Sequence, residues 1–519
     1  MDDVVPFGLL IGISSVAGLL AVLSNRVSER ILVPAPAIFF AAAAVASDLV
    51  PALAQVPVLT VQRVVTVMLI LLLFDGGMHI GWARFRTTTT PILLVGVLGT
   101  AATAAGVAAA AHLVLGLDWR SGLLLGIALA PTDPAVVFSV LGRREVSGRS
   151  GTLLEGESGA NDPVGIAAMV ALLAAVTVSP GAAASPGAEA SVPGSTPGIA
   201  PGSATTADSG WTALGHGLGE FALEMVVGGA IGVAGAYLLS LAMRKLPLPS
   251  GALYPLQTLL GAGAIYGVAA WAHGSGFLAV FVAGILVGDL RAPYKAEIER
   301  FHSSLASLAE IVAFAMLGLT VSLAGLAEGG AWISGLVLAV LLALVIRPLL
   351  VGLLLLPIEL SKGERLFVMW AGLKGAVPIL LGTYLLSAQV PGAERLYQIV
   401  VVVVTFSVVV QGGLVPVVAR LARVPMRERE LEPWALGMRL RDEPTGLCRC
   451  SVRPGAAADG SKIADLPLGE HTWISMISRG GTLVPVHGNT TLRAGDEVLL
   501  LTDPEAETNP RALFTAPQR

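Results

Sequence analysis

Apolar runs long enough to cross a membrane recur from Phe7 to about Ala422. A helix needs about 20 such residues to span a hydrocarbon core, where every backbone N–H and C=O must be bonded within the chain. Those two requirements make the region a set of transmembrane helices. Of the 519 residues, 54% are hydrophobic and 13% charged, against roughly a quarter charged in a soluble domain. The mean hydropathy is +0.78. The first run, FGLLIGISSVAGLLAVLS, has the length of a signal peptide. Asp2 and Asp3 precede it, however, and no small-residue cleavage pattern comes before Arg26. It reads as a retained first span. The net charge of −4 carries no functional message, and no nucleic-acid partner is expected.

Charges and turn signals divide the region into about thirteen spans, at 7–24, 31–47, 59–81, 91–113, 121–141, 152–178, 212–243, 253–272, 275–290, 303–325, 331–357, 366–388 and 397–420. Basic residues concentrate in alternate connections: Arg26 and Arg30, Arg84 and Arg86, Arg143, Arg144 and Arg149, Arg244 and Lys245, Arg291, Lys295 and Arg300, Lys362 and Arg365, Arg420 and Arg423. The positive-inside rule then puts the N-terminus outside and the C-terminus in the cytoplasm of a multi-pass cell-membrane protein. Residues 179–210 lack Lys and Arg and are dominated by Pro, Gly, Ala, Ser and Thr, a composition expected to form a flexible extracytoplasmic loop. Past Glu428 the short runs LCRCSV, WISMIS, LVPV and EVLLL alternate with turn signals, predicting a small cytoplasmic α/β or β-rich domain. The expected domains are 1–425 in the membrane, a linker at 426–445 and a C-terminal domain at 446–510. Cys448 and Cys450, two apart, would close only a strained disulfide loop. Such a pair could bind a metal, but it more often shares one face of a strand.

Ionisable groups at bilayer depth are costly and mark functional positions. Span five contains ALAPTDPAVVF, in which Pro131 and Pro134 bracket Asp133. Proline removes a backbone donor and clashes with the preceding turn, so this helix should break. Span twelve contains WAGLKGAVPILLG, where Gly372, Gly375 and Pro378 surround Lys374, a second break. Spans five and twelve are each the fifth helix of a set of six, spans one to six and eight to thirteen, and the sets start on opposite sides. Two inverted six-helix repeats with paired broken helices, crossing near the midplane, point to a secondary transporter.

Residues 155–163, EGESGANDP, open span six. On a helix Glu155, Ser158 and Asp162 share a face, with Glu157 and Asn161 beside it. Asp162 and Ser158 offer oxygen ligands suited to a hard cation, and a buried Asp among carboxylates can trade a proton for that cation. Glu157 is better placed to pair with a basic residue. Lys374 and Arg347 are the intramembrane cations available, and Glu310 is a further acid needing a partner. Asp75, in LLLFDGGMHI, either reaches the site or marks the interface.

At these residues the chain resembles the NhaP-type branch of the monovalent cation:proton antiporters, which are sodium/hydrogen exchanger-like. FDGG (74–77), APTDPA (130–135), EGESGANDP (155–163), GFLAVFVAGILVGD (276–289), RPL (347–349) and GLKGAVPI (372–379) fall in the family's order. The resemblance implies a homodimeric secondary transporter in the lipid bilayer, not an enzyme, with a scaffold and a mobile core domain and no cofactor or catalytic metal. By motif, Asp162 would bind cation and proton, with Asn161, Ser158, Asp133, Thr132 and Asp75 contributing. Glu157 would be held by the basic residue of the second broken helix, where Lys374 stands in place of the family's frequent Arg. A single Asp beside Asn161 implies electroneutral exchange, since relatives with two adjacent Asp residues are electrogenic.

Residues 462–503, containing ISRGGTLVPVHGNTTLRAGDEV, resemble a TrkA-C domain, the regulatory module of potassium-transport systems. In it Arg493-Ala494-Gly495-Asp496 should turn tightly before the last strand. This architecture favours potassium:proton exchange in cation and pH homeostasis, with sodium:proton antiport as the alternative. A soluble ligand such as a nucleotide would bind the tail, unless it serves only to dimerise or stabilise the chain. A TrkA-C-regulated potassium channel is the rival from another class, although no TVGYG-like filter occurs.

Overall fold

The computed structural model describes residues 18–19, 34–141, 144–146, 148–177, 210–290, 292–328, 330–428, 447–469, 472–480, 482–502 and 511–515. The first predicted span, the 179–210 loop and most of the 426–445 linker lie outside these residues. The chain divides into two compact units after Glu428.

The first unit is helical. Its main elements are α1 (Ala35–Leu49), α2 (Val58–Leu93), α3 (Gly99–Leu115), α4 (Trp119–Leu129), α5 (Pro134–Leu141), α6 (Arg149–Thr177), α7 (Gly210–Lys245), α8 (Leu253–Trp271), α9 (Gly276–Gly288), α10 (Lys295–Gly318), α11 (Ala331–Leu341), α12 (Arg347–Leu354), α13 (Lys362–Trp370), α14 (Ala376–Ser387), α15 (Ala393–Phe406) and α16 (Val415–Leu421). Among the described residues, five helical stretches are long and apolar enough to cross a membrane, and α4 with α5 forms a sixth, bent by 42°.

One of the five runs from Val58 to Leu115, 58 residues, or about 87 Å at 1.5 Å per residue, far more than one bilayer. It breaks at Gly81 (φ 67°, ψ 160°), and the Asp289 carboxylate accepts the N–H of Ala83 just beyond. The predicted span limits leave residues 82–90 as a connection between spans three and four. The structure keeps it helical: the hydroxyls of Thr88 and Thr89 bond back to Arg84 C=O at 2.9 Å and Phe85 C=O at 2.8 Å. Pro91 is absorbed ahead of a π-turn at Leu94–Leu98.

Helix α2 packs closely on α9. A Cβ on Gly284 would strike Phe74 C=O, and one on Gly77 would meet Phe281 C=O and the Ile285 N–H, so backbone meets backbone along FDGG and FVAGILVG. Two short strands, β1 (Arg144–Val146) and β2 (Met426–Glu428), pair antiparallel. Residues 426–428, expected to begin the linker, are therefore sheet in the first unit.

The second unit is a four-stranded antiparallel sheet of β3 (Leu447–Ser451), β4 (Thr472–Arg479), β5 (Thr482–Val484) and β6 (Glu497–Thr502), in the order β3-β6-β4-β5. Cys450, Val452, Ile474, Ile477, Leu492, Val498, Leu500 and Phe514 form its core. Cys448 and Cys450 share a strand face with sulfurs 3.6 Å apart, and Arg511 Nε donates to Cys448 Sγ at 2.7 Å. The turn before β6 forms as the sequence requires: Asp496 N–H donates to Arg493 C=O at 2.9 Å, with Gly495 at φ 87°. Arg479 binds Asp496 through two bonds of 2.7 Å.

Burial pushes the Asp496 carboxyl up, but the Arg479 guanidinium and the Arg493 N–H outweigh it and hold the group below the ordinary carboxylate range. A depressed folded-state value stabilises the fold above the unfolded carboxylate pKa of about 3.9 and loses that contribution as pH falls through the folded value. Asp496→Asn should destabilise this sheet by on the order of 2 kcal/mol at neutral pH. It should also flatten the acid limb of its stability curve, as read by hydrogen exchange at β4 and β6 in the full chain.

Candidate functional site

Two helices stop short at one place. The interval between α4 and α5 holds Ala130–Asp133, and that between α13 and α14 holds Ala371–Gly375. They touch directly, Asp133 N–H donating to Leu373 C=O at 2.8 Å. A Cβ on Gly375 would overlap the Asp133 carboxylate, and one on Gly372 the Arg347 guanidinium. The GLKG sequence is thus what lets both side chains into the crossing.

Most polar groups here serve the interrupted backbone. Asp133 accepts the N–H of Ala135 at 2.9 Å and that of Ala376, so one carboxylate caps the helices leaving both breaks. Lys374 Nζ donates to Ala130 C=O at 2.9 Å and Pro131 C=O at 3.0 Å. Its backbone N–H donates to Ser407 Oγ at 2.9 Å. The Ser407 hydroxyl donates to Gln411 Oε1 at 3.1 Å, and the Gln411 amide to Trp370 C=O at 2.7 Å. Ser407 and Gln411 bound a π-turn, and neither was singled out from the sequence. The signal was there, two polar residues in the apolar run VVTFSVVVQ.

The predicted partner of Glu157 has to be corrected. Arg347 Nη2 lies 2.8 Å from Glu157 Oε1 and 3.1 Å from Oε2, with both side chains 3% exposed. Arg347 also donates to Met369 C=O at 3.0 Å and Val368 C=O at 3.3 Å, the end of α13. The flat guanidinium joins a carboxylate and two carbonyls through donors held in one rigid plane, and Lys374 is occupied by the other break. Glu310 is not in an ion pair: it has no basic partner among the described residues, and its Oε1 is buried and unbonded.

On α6, Asn161 is bonded at both ends of its amide. Its Nδ2 donates to Thr132 Oγ1 at 2.7 Å and its Oδ1 accepts the Thr132 N–H at 3.3 Å. The Thr132 hydroxyl also lies 3.4 Å from Glu157 Oε1. Asp162 is 9% exposed and Ser158 7%, and Asp162 Oδ1 bonds to no other described group. Asp133 and Lys374 are the charges acting on it. Asp75 stands apart on α2, 3.4 Å from His79 Nδ1 through one oxygen and unbonded at the other. Among the described residues, no group of three or more His, Cys, Asp or Glu could hold a metal ion.

An interrupted-helix crossing with a spare buried carboxylate defines an ion carrier of the exchanger type. Residues 15–421 match the sodium/hydrogen exchanger transmembrane family, and residues 449–509 the TrkA-C domain. The chain belongs to the sodium/hydrogen exchanger family. It is 30% identical over 494 residues to the K(+)/H(+) antiporter NhaP2 of Shewanella sp. (strain ANA-3), covering 94% of this chain and 80% of that one. It is 35% identical over 358 residues to the K(+)/H(+) antiporter NhaP of Alkalimonas amylolytica, covering 68% of this chain and 56% of that relative's length. The sodium proton antiporter MjNhaP1 of Methanocaldococcus jannaschii shares the fold, with a TM-score of 0.62 at 20% identity over 80% of this chain and 98% of that one.

Removing one member of the Glu157–Arg347 pair should cost about 3–5 kcal/mol, because the other is left buried and charged. Glu157→Gln should lower the thermal midpoint in detergent, and Glu157→Gln with Arg347→Gln should recover part of the loss. Adding Lys374→Met to Glu157→Gln should recover none.

Proposed function

We propose that this chain exchanges a monovalent cation, potassium first, for protons across the cell membrane, with Asp162 as the carboxylate both ions share. One observation carries the reading: Asp162 Oδ1 is buried and unbonded where the neighbouring polar groups hold the broken backbone together. Ser158 supplies a further oxygen toward the cation, and Asp75 stands on the path to it from α2. Thr132 and Asn161 keep the first break in shape beside them, and Asp133 and Lys374 set the local field. Because the Asn161 amide does not titrate, the dyad offers one titratable group, and one proton leaves for each cation that binds. Such exchange is electroneutral.

The NhaP and NhaP2 relatives are named K(+)/H(+) antiporters, and a TrkA-C match follows the membrane unit here; both favour potassium. Sodium is the second reading, since a Halobacillus aidingensis relative, 28% identical over 369 residues, is named a Na(+)/H(+) antiporter. Thirteen spans in two inverted repeats suit the placement of π-turns, Leu94–Leu98 in the fourth span and Leu342–Ile346 in the eleventh, the fourth of each repeat. The same scheme puts the N-terminus outside, the C-terminus in the cytoplasm, and two copies together as a dimer. The tail, at 446–510 after a linker, would take a soluble ligand, a nucleotide by analogy.

In vesicles with an imposed pH gradient, wild-type protein should dissipate it on addition of potassium chloride, and at a rate indifferent to an imposed membrane potential. Asp162→Asn should lose the response to potassium and sodium by at least 100-fold while remaining folded. Normal exchange in that variant removes Asp162 from the site. A current reversing at the potassium equilibrium potential without proton flux would make the protein a channel.

A further inference from the structure

An exchanger has to expose its carboxylate to one side while the other is shut. This inference rests on the antiport reading above and asks which contact does the shutting. Gln62 is fully buried near the start of α2. Its amide nitrogen donates to Thr383 Oγ1 at 3.1 Å and to Ser387 Oγ at 2.9 Å, both on α14 and more than 300 positions later. The Thr383 hydroxyl is held for this by its own bond to Leu380 C=O at 2.6 Å. Gln62 Oε1 is buried and bonded to no described group.

The two helices have different main neighbours, α9 for α2 and α15 for α14. Helix α14 leaves the crossing at Gly375 and is fixed there to α5 through Asp133. Thr383 and Ser387 stand about 12 and 18 Å along it from the break, at 1.5 Å per residue. Helix α2 is seated on α9 through Gly77 and Gly284. Along α2, Asp75 lies about 20 Å from Gln62, on the half where His79 has a side chain 46% exposed and Asp75 one 13% exposed. That half carries the ionisable pair Asp75 and His79 and reaches the surface at His79. Toward the other, Gln62, Thr383, Leu380, Leu381 and Tyr384 are all fully buried.

We propose that the Gln62–Thr383–Ser387 contact is the closed gate on the side of Asp162 away from Asp75, and that it opens once in each exchange cycle. Its chemistry suits a contact that is made and broken. The bonds are neutral, with no ion pair to separate, and the hydroxyls and amide left behind are groups that water can satisfy when the route opens. The orphaned Oε1 gives entering water an acceptor that the closed state leaves unused.

The test places Gln62→Cys and Ser387→Cys together in a Cys448→Ser/Cys450→Ser background and bridges the pair with a short bis-methanethiosulfonate. The bridge, verified by intact mass, should lower exchange at least tenfold, and dithiothreitol should restore it. Bridged protein exchanging at the unbridged rate overturns the gate, and so does failure of the two thiols to be bridged at all. A second variant, Gln62→Leu, touches no ion ligand; it should change kcat severalfold while the cation KM stays within twofold. Unaltered kcat, or a KM that shifts in step with it, also overturns the proposal. Absence of exchange from wild-type protein in the same vesicles would instead refute antiport itself.

Discussion

A helix that stops inside a membrane strands up to four N–H groups and four C=O groups at its ends, and hydrocarbon offers them nothing to bond to. This chain stops two helices at one point, so the crossing has to satisfy several such groups at once. It does so by letting each break serve the other. Asp133 from the first caps the helix leaving the second, and Lys374 from the second bonds two carbonyls of the first. Neither break could be held this way alone. The crossing itself is the stabilising unit, and the packing of α6, α12 and the π-turn at Ser407–Gln411 around it serves to bring in the remaining donors.

That arrangement accounts for two cations at the crossing, Arg347 and Lys374, of which Arg347 takes the Glu157 carboxylate. Arg347 spans a carboxylate and the carbonyl end of α13, a task for a planar fork. Lys374 meets two carbonyls with a compact ammonium at the end of a flexible stem. The two positions are not interchangeable, and the sequence alone could not distinguish them. Both are basic residues in apolar runs near glycine or proline. Only the glycine at 372, which clears a path for the Arg347 guanidinium, decides which one reaches Glu157.

Much of the architecture was legible because membrane helices have few ways to be built. Apolar run length points to a mostly helical unit, which the structure has, and the two proline- or glycine-flanked ionisable residues fall at breaks between helices. Strands β3 to β6 were legible for a similar reason, as short apolar runs between turn residues. What stayed hidden depends on side chains meeting across hundreds of positions. Residues 82–90 fall between spans three and four because they are polar and carry Arg84 and Arg86. Their threonines bond their own backbone and keep the stretch helical. Gln62 and Gln411 looked like isolated polar residues in apolar runs, and nothing local says that one reaches α14 and the other the end of α13.

The site also separates two kinds of charge that composition cannot tell apart. Glu157 is bonded on both oxygens, buried, and tied to the scaffold of the breaks. Moving it would strand Arg347 and two carbonyl ends, so it is a poor candidate for any step in which charge changes. Asp162, five residues or about 1.4 turns further along α6, has an oxygen with no such obligations. A carrier needs one group whose partner can be exchanged without disturbing the fold. With Asp162 as the proposed shared carboxylate, its place five residues from a carboxylate that must never change partner lets the crossing stay intact while one oxygen alternates between a proton and a cation.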